Sequence, residues 1–152
     1  MLKLTKKADY GLMAMKHLAE HGDQGALSAK DVAVAYGIPS EALAKILQRL
    51  VKAGLLQSQH GTNGGYTLAR EPGMISAFEV IRAIDGPLFI TSCITVRGEC
   101  GQTHRCTIRE PLRRVNQSIE DVLRRITISE MKEKEEPAES EDKRPIEFVS
   151  IT

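Results

Sequence analysis

Over residues 5–20 the apolar positions Ala8, Leu12, Met15 and Leu18 recur three or four apart, and Tyr10, Met13 and Ala14 widen the stripe. That period predicts an amphipathic helix, ended by His21-Gly22-Asp23-Gln24-Gly25. Ser28 followed by Asp31 three residues on predicts an N-cap and a short helix through about Tyr36. Gly37-Ile38-Pro39 then turns the chain into a longer helix reaching about Ala53. Its buried face is Leu43, Ile46, Leu47 and Leu50, and Gly54 stops it. Leu55-Leu56-Gln57-Ser58-Gln59 and Tyr66-Thr67-Leu68 read as short strands around the glycine-rich tip His60-Gly61-Thr62-Asn63-Gly64-Gly65.

Two helices joined by a tight turn, followed by a hairpin, describe a winged helix-turn-helix. Ser76-Ala77-Phe78-Glu79 is a capping box opening a further helix, which buries Phe78, Ile81 and Ile84 and ends at Asp85-Gly86. From Pro87 to about Thr107 no period persists, and this stretch holds every cysteine. Beyond Glu110-Pro111 a long helix carries Leu112, Val115, Ile119, Val122 and Ile126 at heptad spacing, a stripe suited to pairing with its copy in a second subunit. The expected fold is mainly α with a small β-wing. Its parts are a winged helix-turn-helix domain over 1–86, a cysteine-bearing loop over 87–107, a dimerisation helix over 108–131 and an acidic, disordered tail over 132–152.

The formal net charge is +1, but it is unevenly placed. Residues 1–70 carry nine Lys and Arg against five Asp and Glu, whereas 130–152 carry four against eight. A basic first half suits a nucleic-acid surface. At 152 residues, one function is expected to dominate. No apolar run is long enough to span a bilayer and the opening residues lack signal-peptide features, so the expected location is cytoplasmic, with no membrane partner. Three cysteines, an odd count, argue against a disulfide framework and for metal ligation or redox chemistry.

Taken together, Leu4-Thr5-Lys6, Asp9-Tyr10-Gly11-Leu12, Ile38-Pro39, Lys45-Ile46-Leu47, Gly64-Gly65-Tyr66 and three cysteines before a long helix resemble the IscR/NsrR (Rrf2) family of bacterial winged-helix regulators. The resemblance runs from Leu4 to about Met131. It implies a homodimer on a partly palindromic double-stranded DNA operator and regulation by an iron-sulfur cluster, [2Fe-2S] or [4Fe-4S]. It further implies a repressor of iron-sulfur assembly genes or, as an alternative, a sensor of nitric oxide, iron or redox state.

In a helix-turn-helix the second helix enters the major groove. That assigns Ser40, Glu41, Ala44, Lys45 and Gln48 to the outward face; Ser40 can bond bases or phosphate, Glu41 can accept from cytosine, Gln48 can pair with adenine or bond the DNA backbone, and Lys45 and Lys52 suit phosphates. His60, Thr62 and Asn63 at the wing tip are candidates for the adjacent minor groove; relatives often carry arginine where His60 stands. Cys93, Cys100 and Cys106 are separated by six and five residues and are soft donors for a cluster, although this is not a ferredoxin spacing. Some relatives space them five and five. Relatives with a histidine ligand place it three residues after the last cysteine, where Arg109 stands here. Candidate fourth ligands are therefore His104, close in sequence, and Asp9, at the position from which some nitric-oxide-sensing relatives donate a carboxylate. The same cysteines could instead hold zinc or form a thiol switch. An enzyme built on a cysteine and His104 or His60 lacks a third orienting group, so no catalytic activity is expected. A protein-binding adaptor is the remaining class.

Overall fold

A computed structural model describes residues 3–90 and 107–132. Cys93, Cys100, Cys106, His104 and the tail beyond Lys132 lie outside the described residues, and so do the expectations of a cysteine loop and a disordered tail. Helix α1 spans Lys6–Glu20; the Thr5 hydroxyl caps it by accepting from the Ala8 N–H at 3.1 Å. Helix α2 spans Ala29–Tyr36 behind a complete capping box, in which the Asp31 carboxylate also accepts from the Ser28 N–H. Gly37 closes α2 at φ 64°, a left-handed conformation that glycine adopts without strain. Helix α3 follows at Ser40–Lys52 with Pro39 as its N-cap.

Strands β1 (Leu56–Gln59) and β2 (Gly65–Leu68) pair antiparallel, with Leu56 opposite Leu68 and Gln59 opposite Gly65. Leu27 adds a third edge: the Tyr66 N–H donates to the Leu27 carbonyl at 2.8 Å, and the Leu27 N–H returns a bond at 3.2 Å. Close backbone approach accounts for two of the three glycines in the wing. A Cβ on Gly64 would meet the Gln59 carbonyl, and one on Gly65 would collide with the Leu27 backbone. A 3₁₀ turn at Pro72–Met74 leads to α4 (Ala77–Asp85), capped by the expected Ser76–Glu79 box.

The core lies between α1, α3, α4 and the root of the hairpin, where Met15, Leu43, Leu47, Leu50, Leu55 and Leu56 are almost wholly buried. Gly11 lets α1 and α4 approach closely, because a Cβ there would strike the Ile84 side chain. The sequence predicts one helix through residue 131; the structure breaks it. Helix α5 spans Arg109–Arg125, and Thr127 caps a separate short helix, α6, at Ile128–Met131. The cause lies far away in sequence. The Ile126 carbonyl accepts from the Ala77 N–H at 2.8 Å, the Ile128 N–H donates to the Ile75 carbonyl at 2.9 Å, and Ile128 is 0 % exposed. Ile126 therefore leaves the heptad stripe to anchor the start of α4. Among the described residues no helix is long and apolar enough to cross a membrane.

Candidate nucleic-acid interface

Helix α3 buries Leu43, Ile46, Leu47 and Leu50 and turns Ser40, Glu41, Lys45, Gln48 and Lys52 outward, all exposed; Ala44 is half-buried among them. A narrow amphipathic helix thus presents one polar row at the width of a groove-reading element. At the wing tip His60, Thr62 and Asn63 are exposed, and the tip is closed by the Gly64 N–H donating to the Gly61 carbonyl at 3.0 Å. Helix and wing are tied together, since Gln48 Nε2 donates to Tyr66 Oη at 2.8 Å. The sequence leaves Gln48 open to adenine or to the DNA backbone and does not single out Tyr66 for the interface. A groove between α1 and α3, lined by Lys7, Tyr10, Lys45 and Arg49 among others, adds cations beside this row.

Two further contacts hold the interface to the body. Arg49, one turn beyond Lys45 on α3, donates from Nη1 to the Ile84 carbonyl at 2.8 Å, satisfying an end carbonyl of α4. The Thr5 hydroxyl donates to the Asp85 carboxylate at 2.8 Å. Thr5 belongs to the Leu4-Thr5-Lys6 motif, but the Arg49 contact carries no sequence signal, because a guanidinium bound to a main-chain carbonyl needs no partner side chain.

Asp9 sits half-buried in the first turn of α1, beside a groove lined by Leu12, Met13, Lys16 and Met131. Among the described residues no group of three or more His, Cys, Asp or Glu side chains gathers as a metal site. The segment holding the cysteines is nevertheless bounded on both sides by α5. Thr107 leads into the helix, and the Ile90 N–H donates at 3.0 Å to Oδ1 of Asn116, a side chain buried two turns along it.

Along α5, Val115 and Val122 are 46 % and 52 % exposed, and Leu112 and Ile119 are half-buried. Val115, Ile119, Val122 and Leu123 line an open, largely apolar groove of about 420 Å³. On the far side of α1, His17 and His21 stack at 4.1 Å, and His17 Nδ1 lies 3.3 Å from Tyr36 Oη. Burial, then the neighbouring His21, hold the His17 imidazole below its ordinary pKa. Burial pushes the Glu79 carboxyl up, but its bonds to Arg70 and Ser76 outweigh that and leave it below the ordinary carboxylate range.

A polar recognition row and an exposed wing on a three-helix scaffold define a winged-helix DNA-binding protein, a transcriptional regulator by class. Residues 4–134 match the family model Rrf2, described as an iron-dependent transcriptional regulator, and the chain belongs to the Rrf2 family. It is 32 % identical over 148 residues to the HTH-type transcriptional regulator IscR of Vibrio campbellii, covering 97 % of this chain and 88 % of that one. Among solved structures it is similar to CymR, the global cysteine regulator of B. subtilis, with TM-score 0.73 and 30 % identity over 86 % of this chain and 96 % of that one. It is also similar to T. potens IscR, with TM-score 0.66 and 35 % identity over 86 % of this chain and 85 % of that one. These relatives are named as regulators, in keeping with a binding protein and not an enzyme.

Proposed function

We propose that this IscR-type regulator is a homodimeric, cytoplasmic repressor whose hold on its operator depends on an iron-sulfur cluster carried by Cys93, Cys100 and Cys106. The observation that carries this reading is the tethering of the cysteine segment to α5 at both ends, through Thr107 and through Asn116. A change in that segment then acts on the helix whose apolar stripe is left uncovered in one chain. The donor set fits: three thiolates are soft ligands matched to an iron-sulfide core. Asp9 supplies a carboxylate that makes no hydrogen bond among the described residues, and His104 is the second candidate for the fourth position. When bound, such a cluster supplies a centre that responds to iron, oxygen or nitric oxide.

The chain's own residues do the rest. Leu112, Val115, Ile119 and Val122 pair two subunits and set the spacing of the two α3 helices. Ser40 and Glu41 face base edges, Lys45 and Lys52 face phosphates, and His60, Thr62 and Asn63 follow the minor groove. The test is anaerobic purification and reconstitution with iron and sulfide, followed by visible spectroscopy and footprinting on the DNA upstream of the protein's own gene. Visible absorbance lost on Cys→Ala substitution, together with a footprint that differs between loaded and unloaded protein, supports the reading. Colourless protein holding zinc or a reversible disulfide transfers the same cysteines to the other switch chemistries, and equal footprints remove the sensing role.

A further inference from the structure

We propose that the Tyr66 hydroxyl is a hydrogen-bond donor to a DNA phosphate and that Gln48 is a positioning residue that aims it. This rests on the DNA-binding reading above and alters the chemistry of one part of it. Gln48 Nε2 is a donor only, so in the 2.8 Å contact Tyr66 Oη is the acceptor. The phenol's own proton then has no acceptor among the described residues, and the group is only half-buried. A donor in that state is satisfied by water in the free protein and is available to a ligand.

Its place in the fold identifies the ligand. The hydroxyl bridges α3, which presents the polar row, and β2, which carries one side of the wing. With α3 in the major groove and the wing in the adjacent minor groove, the sugar-phosphate strand separating those grooves passes between the two elements. A donor held between them faces phosphate oxygens and not base edges.

The tyrosine is held in place independently of Gln48. Its N–H and carbonyl are both bonded to Leu27, and Gly65 before it lies too close to the Leu27 backbone to accept any Cβ. Only the phenol torsions remain to be set, and the Gln48 amide is the group in hydrogen-bond contact with the hydroxyl. Gln48 therefore acts through Tyr66 in place of reading a base. Phosphates position and bases specify, so the two assignments differ in what they do to sequence preference.

A double-mutant cycle on the full-length dimer tests this, using Tyr66→Phe, Gln48→Ala and the pair, measured on an operator duplex, on single-base variants of it and on a random duplex. Tyr66→Phe is expected to weaken operator and random DNA alike by about tenfold per subunit, about a hundredfold for the dimer, the scale of one hydrogen bond to a charged acceptor in each half. The salt slope should stay at the wild-type value, because a neutral hydroxyl releases no counterion. Gln48→Ala should give a similar loss with unchanged base preference, and the double variant should be no weaker than Tyr66→Phe. Gln48 lies on the exposed face of α3, so its variant carries the test even if the phenylalanine loosens the hairpin. Tyr66→Phe binding within twofold of wild type overturns the proposal. So does a Gln48→Ala protein that loses preference at one base position, with losses that multiply in the double variant. Wild-type protein that binds no duplex at all instead overturns the DNA-binding reading, and this inference falls with it.

Discussion

Replacing Ile128 with Ala tests the joint between α5 and the winged helix. The side chain is 0 % exposed and packs in the core cluster with Ile75 and Met15. Removing three buried carbons forfeits roughly 2.5 kcal/mol of transfer free energy at about 0.8 kcal/mol each. The residual cavity adds about 1 to 2 kcal/mol, depending on how far the site collapses. The expected loss is thus about 3.5 to 4.5 kcal/mol, a large share of a small domain's stability. Val34→Ala is the control, since that side chain is 74 % exposed and lies away from both the core and the α5 stripe. Urea unfolding followed by circular dichroism, at one protein concentration, reads the difference. An Ile128→Ala loss below about 1 kcal/mol, with an unchanged m-value, would mean that α6 does not belong to the core and that the break after Arg125 has been misread.

Gly65→Ala should destabilise the wing by about 1 to 3 kcal/mol and speed exchange of the Tyr66 amide, whereas Gly73→Ala, which meets no atom within 4 Å, should do neither; equal effects would remove the steric argument. Introducing Glu at both Ile119 and Val122 should give monomers by sedimentation, and a dimer with native DNA affinity would misplace the seam. Lys45→Ala and Lys52→Ala should each reduce the magnitude of the salt slope by about one per subunit bound, while Ser40→Ala and Glu41→Ala should alter base preference at a constant slope; identical behaviour of all four would collapse that division. His17, held below its ordinary pKa of 6.5, takes up a proton more readily when unfolded. Its contribution is therefore complete above about pH 6.5 and is lost as pH falls from there through the folded value. His17→Gln should flatten stability against pH in that window, and an unaltered slope would count against it.

The winged helix was legible because its signals are local. Ser28 with Asp31 and Ser76 with Glu79 are capping boxes contained in four residues, and the apolar faces of α1 and α3 repeat within a turn of one another. What escaped depends on distant partners. Ile126 fits a continuing heptad stripe, and Ile75 and Ala77, brought alongside by the fold, turn the chain there. Gln48 on an outward face reads as a side chain free for bases or the DNA backbone until the hairpin places Tyr66 against it. Arg49 reads as one more surface cation, since its acceptor is a backbone carbonyl. The cysteines were legible as a donor set by residue type and proximity alone, and their arrangement lies outside the described residues.

The last turn of α4 receives three ties at once: Ile84 against Gly11 of α1, the Ile84 carbonyl held by Arg49 of α3, and Asp85 held by Thr5. Helices joined at a common point in this way have no hinge between them, so the DNA-reading head can turn only as a single piece. Helix α5 is fastened to the start of α4 through the main chain of Ile126 and Ile128 and through Arg124 over the Phe78 ring at 4.1 Å, so a displacement of α5 reaches α3 by way of α4 acting as a rigid strut.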